Sequence, residues 1–247
     1  MKNLLRRSGA LFLELLFPAA CLNCRRAGAW LCADCFSKLR QVEAGNDGQA
    51  IDGHAKNRRL IAPALNRIFI AGDYEDRLLA SLIKRFKYNF LSSLGEPLGR
   101  FLAAFWEEQL SRAENAGWRP DGNRSDSGWR DKAAPLLIPI PLSRRREKWR
   151  GFNQAEVLTR ELNRRFGYEA AEGLHRVRHH EAQASLSEAE RLDNIRGVFA
   201  WSGGRLEGRS VILVDDVVTT GATLNEAALV LRAAGAARIC GLVLAKG

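Results

Sequence analysis

The sequence predicts an α/β chain: a parallel sheet flanked by helices, with a small N-terminal four-cysteine module. Two observations carry this. Residues 211–244 run as a buried strand, a loop, a helix and a second buried strand, the βαβ order that makes a parallel sheet. Four of the five cysteines, Cys21, Cys24, Cys32 and Cys35, fall within fifteen residues, whereas a disulfide framework spreads its cysteines. Length and composition agree. The 247 residues, 46% hydrophobic and 27% charged, contain enough apolar material for a core, and the size suits one domain plus a small module. No apolar run of 18 residues occurs, so no membrane-spanning helix is expected. The net charge of +10 favours polyanionic partners.

The elements follow in order. Lys2, Arg6 and Arg7 before the apolar run Leu11 to Phe17 resemble an export signal ending at Cys21. Glu14 inside that run, Pro18, and the spacing of Cys21 to Cys24 argue against it. The simpler reading is an amphipathic helix with Leu4, Leu5, Leu11, Leu15 and Leu16 on one stripe. Residues 1–40 are then a helix plus the cysteine module, and the polar, Gly-rich residues 41–60 a linker. The 61–247 domain follows. Residues 65–74 predict a strand, 76–90 and 94–113 helices, 115–133 a mobile polar loop, Pro135 to Ile140 a short strand, and Asn153 to Phe166 a helix. Val211 to Val214 is a β-branched run suited to a strand buried on both faces. Thr223 to Ala234 predicts a helix stopped by Gly235, and Ile239 to Leu244 a last buried strand holding Cys240 as a core residue.

Cys21-Leu-Asn-Cys24 and Cys32-Ala-Asp-Cys35 are two CxxC pairs separated by seven residues. Each pair places two thiolates about 3.5–4 Å apart on a turn, the spacing of tetrahedral zinc. Four protein ligands leave no position for water, so such a site is structural. Free thiols and a four-cysteine iron–sulfur cluster are the competing readings.

The densest motif is Val211-Ile-Leu-Val-Asp-Asp-Val-Val-Thr-Thr-Gly-Ala-Thr223. A buried strand ends in two carboxylates, a hydroxyl-rich turn follows, and a helix begins. Backbone N–H groups at such a turn and helix start favour an anion. Thr219, Thr220 and Thr223 add neutral donors, and Gly221 allows close backbone approach. Asp215 and Asp216 suit two vicinal hydroxyls, or Mg²⁺ held through water. The carboxyl end of a parallel strand is where open α/β sheets bind ligands. The segment Ser143-Arg-Arg-Arg-Glu-Lys-Trp-Arg-Gly-Phe-Asn-Gln154 carries a local charge of +4 over 144–150. It reads as an exposed basic loop, or as a contact for pyrophosphate or a nucleic-acid backbone through Arg144, Arg145, Arg146, Lys148 and Arg150, with Trp149 and Phe152 for stacking. Lys84 and Lys87 are further candidates for the same anion.

The Asp215 to Thr223 segment resembles the phosphoribosyl pyrophosphate (PRPP) loop of type I phosphoribosyltransferases. The resemblance implies Asp215 and Asp216 on the ribose 2′- and 3′-hydroxyls. It implies the turn through Val217, Val218, Thr219, Thr220, Gly221, Ala222 and Thr223 around the 5′-phosphate, with Mg²⁺ accompanying PRPP. Together with the cysteines, Ile83-Lys-Arg-Phe-Lys-Tyr88, Pro139-Ile-Pro-Leu142, Arg150-Gly-Phe-Asn-Gln154 and the series Gln183, Ser185, Leu186, Arg191 and Asn194, the pattern resembles the ComF family, over residues 18–247. That resemblance implies a zinc module followed by a type I phosphoribosyltransferase-like domain. ComFC-type members act in the cytoplasm in DNA uptake by natural transformation, on incoming single-stranded DNA with a helicase-like partner. GntX-type members serve the use of gluconate or DNA as nutrients. Three activities are open: a phosphoribosyltransferase (a glycosyltransferase), a non-catalytic PRPP-sensing or single-stranded-DNA-binding accessory, and a structural zinc adaptor. The dense loop disfavours the last. No catalytic residue is assigned; His175, His179 and His180 are candidate bases with surface-like surroundings. Arg191 and Asn194, one helical turn apart, suit a shared ligand or a helix cap.

Overall fold

The computed structural model describes residues 19–42, 62–88, 91–115, 134–177 and 197–247. The expected N-terminal helix, most of the 41–60 linker, the 115–133 loop, His179, His180 and the 183–194 series lie outside them. The chain divides into two compact units, residues 1–40 and 41–247.

In the first unit, Ala20 and Ala27 form an antiparallel bridge around a tight turn. Arg25 N–H donates to the Cys21 carbonyl at 2.8 Å. Arg25 and Gly28 take φ of 67° and 104° there. Cys32 caps the one-turn helix α1 (Ala33–Phe36), with its carbonyl accepting from Cys35 and Phe36.

In the second unit, β1 (Arg67–Asp73) leads through α2 (Arg77–Tyr88) and a short 3₁₀ turn (Ser92–Leu94) into α3 (Gly95–Asn115). Then come β2 (Leu136–Pro139), α4 (Arg144–Arg150) and α5 (Gln154–Phe166). The hairpin strands β3 (Leu174–Arg176) and β4 (Phe199–Trp201) precede β5 (Ser210–Val218), α6 (Ala222–Ala233) and β6 (Arg238–Lys246). The described strands form a four-stranded parallel sheet in the order β1-β6-β5-β2, with β3 and β4 antiparallel beside it.

Strand alternation assigns the two layers. Ile68, Ile138, Leu213, Ile239 and Val243 share a cluster with Leu224, Ala227, Ala228 and Leu231 of α6. Phe69, from the opposite face, meets Trp106 of α3 edge to face at 5.0 Å. The helix α3 in turn packs on α5, which contacts β5 and β2. Cys240 is buried in β6.

Two expectations need correction, and one strand pair has no counterpart in the sequence pattern. The strand expected over 211–214 continues to Val218, so Asp215 and Asp216 lie inside β5 rather than at its end. The basic segment is a two-turn helix rather than a loop. Ser143 caps it and Gly151, at φ 75°, ends it, so the capping residues act where no apolar periodicity exists. The β3–β4 hairpin was not anticipated, because three-residue strands show no period.

Candidate functional site

The site is built on two adjacent strand ends. Pro139 pairs with Val214, and Ile140 N–H donates to the Val214 carbonyl at 2.9 Å, so β2 ends there while β5 runs on to Val218 and carries Asp215 and Asp216 just past the end of β2. From β2 the chain turns into basic α4 and then to α5 on one face. From β5 it turns into α6 on the other. This divergence is the switch point at which open α/β sheets form a ligand crevice.

Consecutive strand residues project to opposite faces, and the two acids have different surroundings. Asp216 Oδ1 lies 2.8 Å from Lys87 Nζ, with both side chains largely buried. Asp215 accepts the Asp216 backbone N–H at 2.8 Å and lies within the charge influence of Lys87 and of Arg176 on β3. Burial pushes the Asp215 carboxyl up to about 7. The neighbouring Asp216 charge adds to the rise, and the Asp216 N–H, Lys87 and Arg176 oppose it. Arg176 is itself anchored: Nε donates to the Pro141 carbonyl at 3.0 Å, and the guanidinium lies 4.9 Å from the Phe199 ring centroid. Burial lowers its pKa, as does nearby Arg146, while Asp215 raises it.

After β5, Thr219 is exposed and Thr220 and Thr223 are partly buried. Gly221 occupies the α6 cap at φ 80°, a left-handed conformation that a side chain disfavours. Its carbonyl accepts from Asn225, and Thr220 Oγ1 accepts from Ala222 N–H. The Val218 side chain is buried in the core, as is Ala222.

Of the basic candidates, Arg144, Arg145, Arg146, Lys148 and Lys84 are exposed. Arg150 differs: it is buried, donates to Gln154 Oε1 at 2.9 Å, and covers the Tyr88 ring at 5.4 Å. Gln154 Nε2 continues to the Phe86 carbonyl at 3.3 Å. Phe152, expected to be free for stacking, packs on Phe86 at 5.4 Å, whereas Trp149 remains exposed. His175 is exposed, with Nδ1 3.1 Å from the Gly173 carbonyl. Nothing local in the sequence distinguishes Arg176 from the other arginines.

In the first unit, the four cysteine Sγ atoms lie within 4.8 Å of one another. Cys24 and Cys32 Sγ are 3.6 Å apart, and Asn23 Nδ2 donates to Cys35 Sγ at 3.2 Å. Burial opposes ionisation of Cys21, but backbone hydrogen bonds from Cys24, Cys32 and Asn23 outweigh it and hold the thiol at about 6. Four soft sulfur donors gathered this closely, with N–H groups on them, fit a structural zinc held by Cys21, Cys24, Cys32 and Cys35.

Comparisons with known proteins agree with this architecture. Residues 150–247 match the phosphoribosyl transferase domain family. The chain is 31% identical over 235 residues to competence protein F of Haemophilus influenzae, covering 90% of this chain and 95% of that one. Competence protein ComFC of Bacillus subtilis is 40% identical over 109 residues, 41% of this chain and 40% of that one. The DNA utilization protein YhgH of Escherichia coli is 32% identical over 183 residues, 72% of this chain and 70% of that one. A match running nearly end to end through competence protein F makes this chain a member of the ComF family.

Proposed function

We propose that the crevice between β2 and β5 binds PRPP with Mg²⁺, and that the protein supports DNA uptake or processing in natural transformation. The supporting observation is the pair of strand acids, Asp216 ion-paired to Lys87 and Asp215 beside it under the charges of Lys87 and Arg176, next to a hydroxyl-and-glycine turn that opens a helix. Asp215 and Asp216 accept hydrogen bonds from the ribose hydroxyls. Thr219, Thr220, Thr223 and the backbone from Val217 through Gly221 to Ala222 receive the 5′-phosphate, where N–H groups and the helix dipole favour an anion. Arg144, Arg145, Arg146 and Lys148 meet the pyrophosphate, for which the guanidinium fork is suited. Mg²⁺ supplies charge neutralisation of the pyrophosphate, held through water near the acids. The DNA part of the reading draws on relatives named for competence and DNA utilization and on the charge of +10.

Calorimetry of PRPP with and without Mg²⁺, on protein of checked zinc content, tests the first part. Micromolar, Mg²⁺-dependent binding that is lost in Asp215→Asn/Asp216→Asn is expected. Binding that survives in that variant within about threefold removes the ribose assignment. PRPP-dependent release of pyrophosphate in the presence of candidate bases then separates a transferase from a non-catalytic sensor.

A further inference from the structure

We infer that Tyr88 and Trp149 form a stacking platform for the unpaired bases of a single-stranded nucleic acid whose phosphates follow α4. The inference rests on the DNA part of the function proposed above and names the residues that would read bases. Among the described residues, Tyr88, Trp149, Val177 and Leu229 are the large hydrophobic side chains left exposed, at 50%, 55%, 52% and 48%. The two aromatic ones touch: their ring centroids are 5.6 Å apart with the planes inclined at 57°. A lone exposed aromatic is ordinary, but two in contact form an apolar face with a use.

The pair is held in place from beneath. Arg150, buried, lies against the Tyr88 ring and donates to Gln154, and Gln154 donates to the Phe86 carbonyl two residues before Tyr88. Phe152 on Phe86 completes the clamp between the end of α2 and the end of α4. A packing role alone would bury the rings. Here buried polar contacts fix rings that remain half exposed, so little side-chain freedom is lost when a flat ligand stacks.

The surroundings select the ligand. Trp149 sits in a helix whose exposed Arg144, Arg145, Arg146 and Lys148 face solvent. Aromatic faces interleaved with cations are the combination used for single strands: bases stack, and phosphates meet the basic groups. A duplex hides its base faces, so the platform favours an unpaired strand.

The test compares oligothymidylate with an abasic strand of equal length, by anisotropy over a salt series on the full chain. Wild-type protein should bind oligothymidylate about tenfold more tightly than the abasic strand. Trp149→Ala should lose that preference while keeping the abasic affinity, the salt slope and the melting temperature; Tyr88→Ala should lose it too, with a lower melting temperature because the ring covers buried Arg150; and Trp149→Phe should retain most of it. Arg144→Ala/Arg145→Ala should weaken both strands alike and flatten the salt slope by about 1.4, roughly 0.7 for each phosphate contact to a single strand. Equal wild-type affinity for both strands, or a preference that survives Trp149→Ala, overturns the platform while leaving backbone binding standing. No binding of either strand overturns the DNA reading itself. Displacement of the strand by micromolar thymidine monophosphate would reassign the platform to a mononucleotide and overturn the strand assignment.

Discussion

Lys87, near the end of α2, forms an ion pair with Asp216 in β5 at 2.8 Å, with the two side chains 16% and 10% exposed. The contact ties the first helix of the second unit to the strand that carries the candidate ribose acids. Removing one partner from a largely buried pair leaves the other charge without compensation, which is costly. Lys87→Met should therefore destabilise the fold by about 2–4 kcal/mol. Lys87→Met/Asp216→Asn should recover most of that loss. Urea denaturation of the four members of the cycle measures the coupling. A Lys87→Met cost below about 0.5 kcal/mol would mean that solvent screens the pair.

Asp215 makes stability and binding pH-dependent in opposite senses. Its folded value of about 7 lies above the ordinary 3.8, so the folded chain keeps this proton where the unfolded chain has released it. The stability carried by the protonated carboxyl is complete below about pH 4 and is lost as pH rises to about 7. Asp215→Asn removes that loss. Its melting temperature should match wild type near pH 4 and exceed it by roughly 5 °C at pH 8. PRPP binding, which uses the ionised acceptor, should strengthen as pH rises through 7 in wild type. A difference in melting temperature that does not vary with pH would show that Asp215 ionises normally.

The cysteine cluster predicts one zinc per chain. In a module this small, metal-binding energy is folding energy. Cys21→Ser should abolish bound zinc by elemental analysis and open residues 19–40 to proteolysis. Zinc-free protein with unchanged cleavage in that segment would show that the turn and α1 stand without metal.

Close helix packing gives a prediction in the core. A Cβ added at Gly95, at the start of α3, would overlap Val157 Cγ1 of α5. Val157 is buried and β-branched, so it has little room to turn away. Gly95→Ala should cost about 1–3 kcal/mol despite the better helix propensity of alanine. A neutral or stabilising effect in thermal denaturation would mean that α3 and α5 slide apart without penalty.

Local patterns made β5, α6 and β6 legible, because β-branched runs and an inward stripe of Leu224, Ala227, Ala228 and Leu231 carry their own period. The cysteine cluster was legible for the same reason, its ligands lying close in sequence. The helix α4 was not, since Arg144 to Arg150 offers no apolar stripe and only Ser143 and Gly151 mark its ends. Pairings between distant residues were the larger loss. Lys87 was a candidate for an anion, but its partner Asp216 depends on how α2 meets β5. Arg176 is visible only in the structure, where β3 brings it to the Pro141 carbonyl and within the charge influence of Asp215.

Arg176 supports the last prediction. It joins three parts of the candidate site: the loop after β2 through the Pro141 carbonyl, strand β4 through Phe199, and Asp215, the proposed ribose acid, through charge. It acts through Asp215 and the loop, as a positioning residue. Arg176→Met should weaken PRPP binding by about tenfold, roughly 1.4 kcal/mol, because both loop anchoring and charge compensation are lost. It should also move the pH midpoint of that binding above 7, since the Arg176 charge is one of the groups lowering the Asp215 value. Arg176→Lys should keep the midpoint close to wild type, retaining the charge, yet bind weakly, because an ammonium lacks the planar fork that reaches Pro141 while stacking on Phe199. Calorimetric titrations from pH 6 to about 8.5 separate the two effects. Equal midpoints in wild type and Arg176→Met would show that Arg176 serves the loop alone.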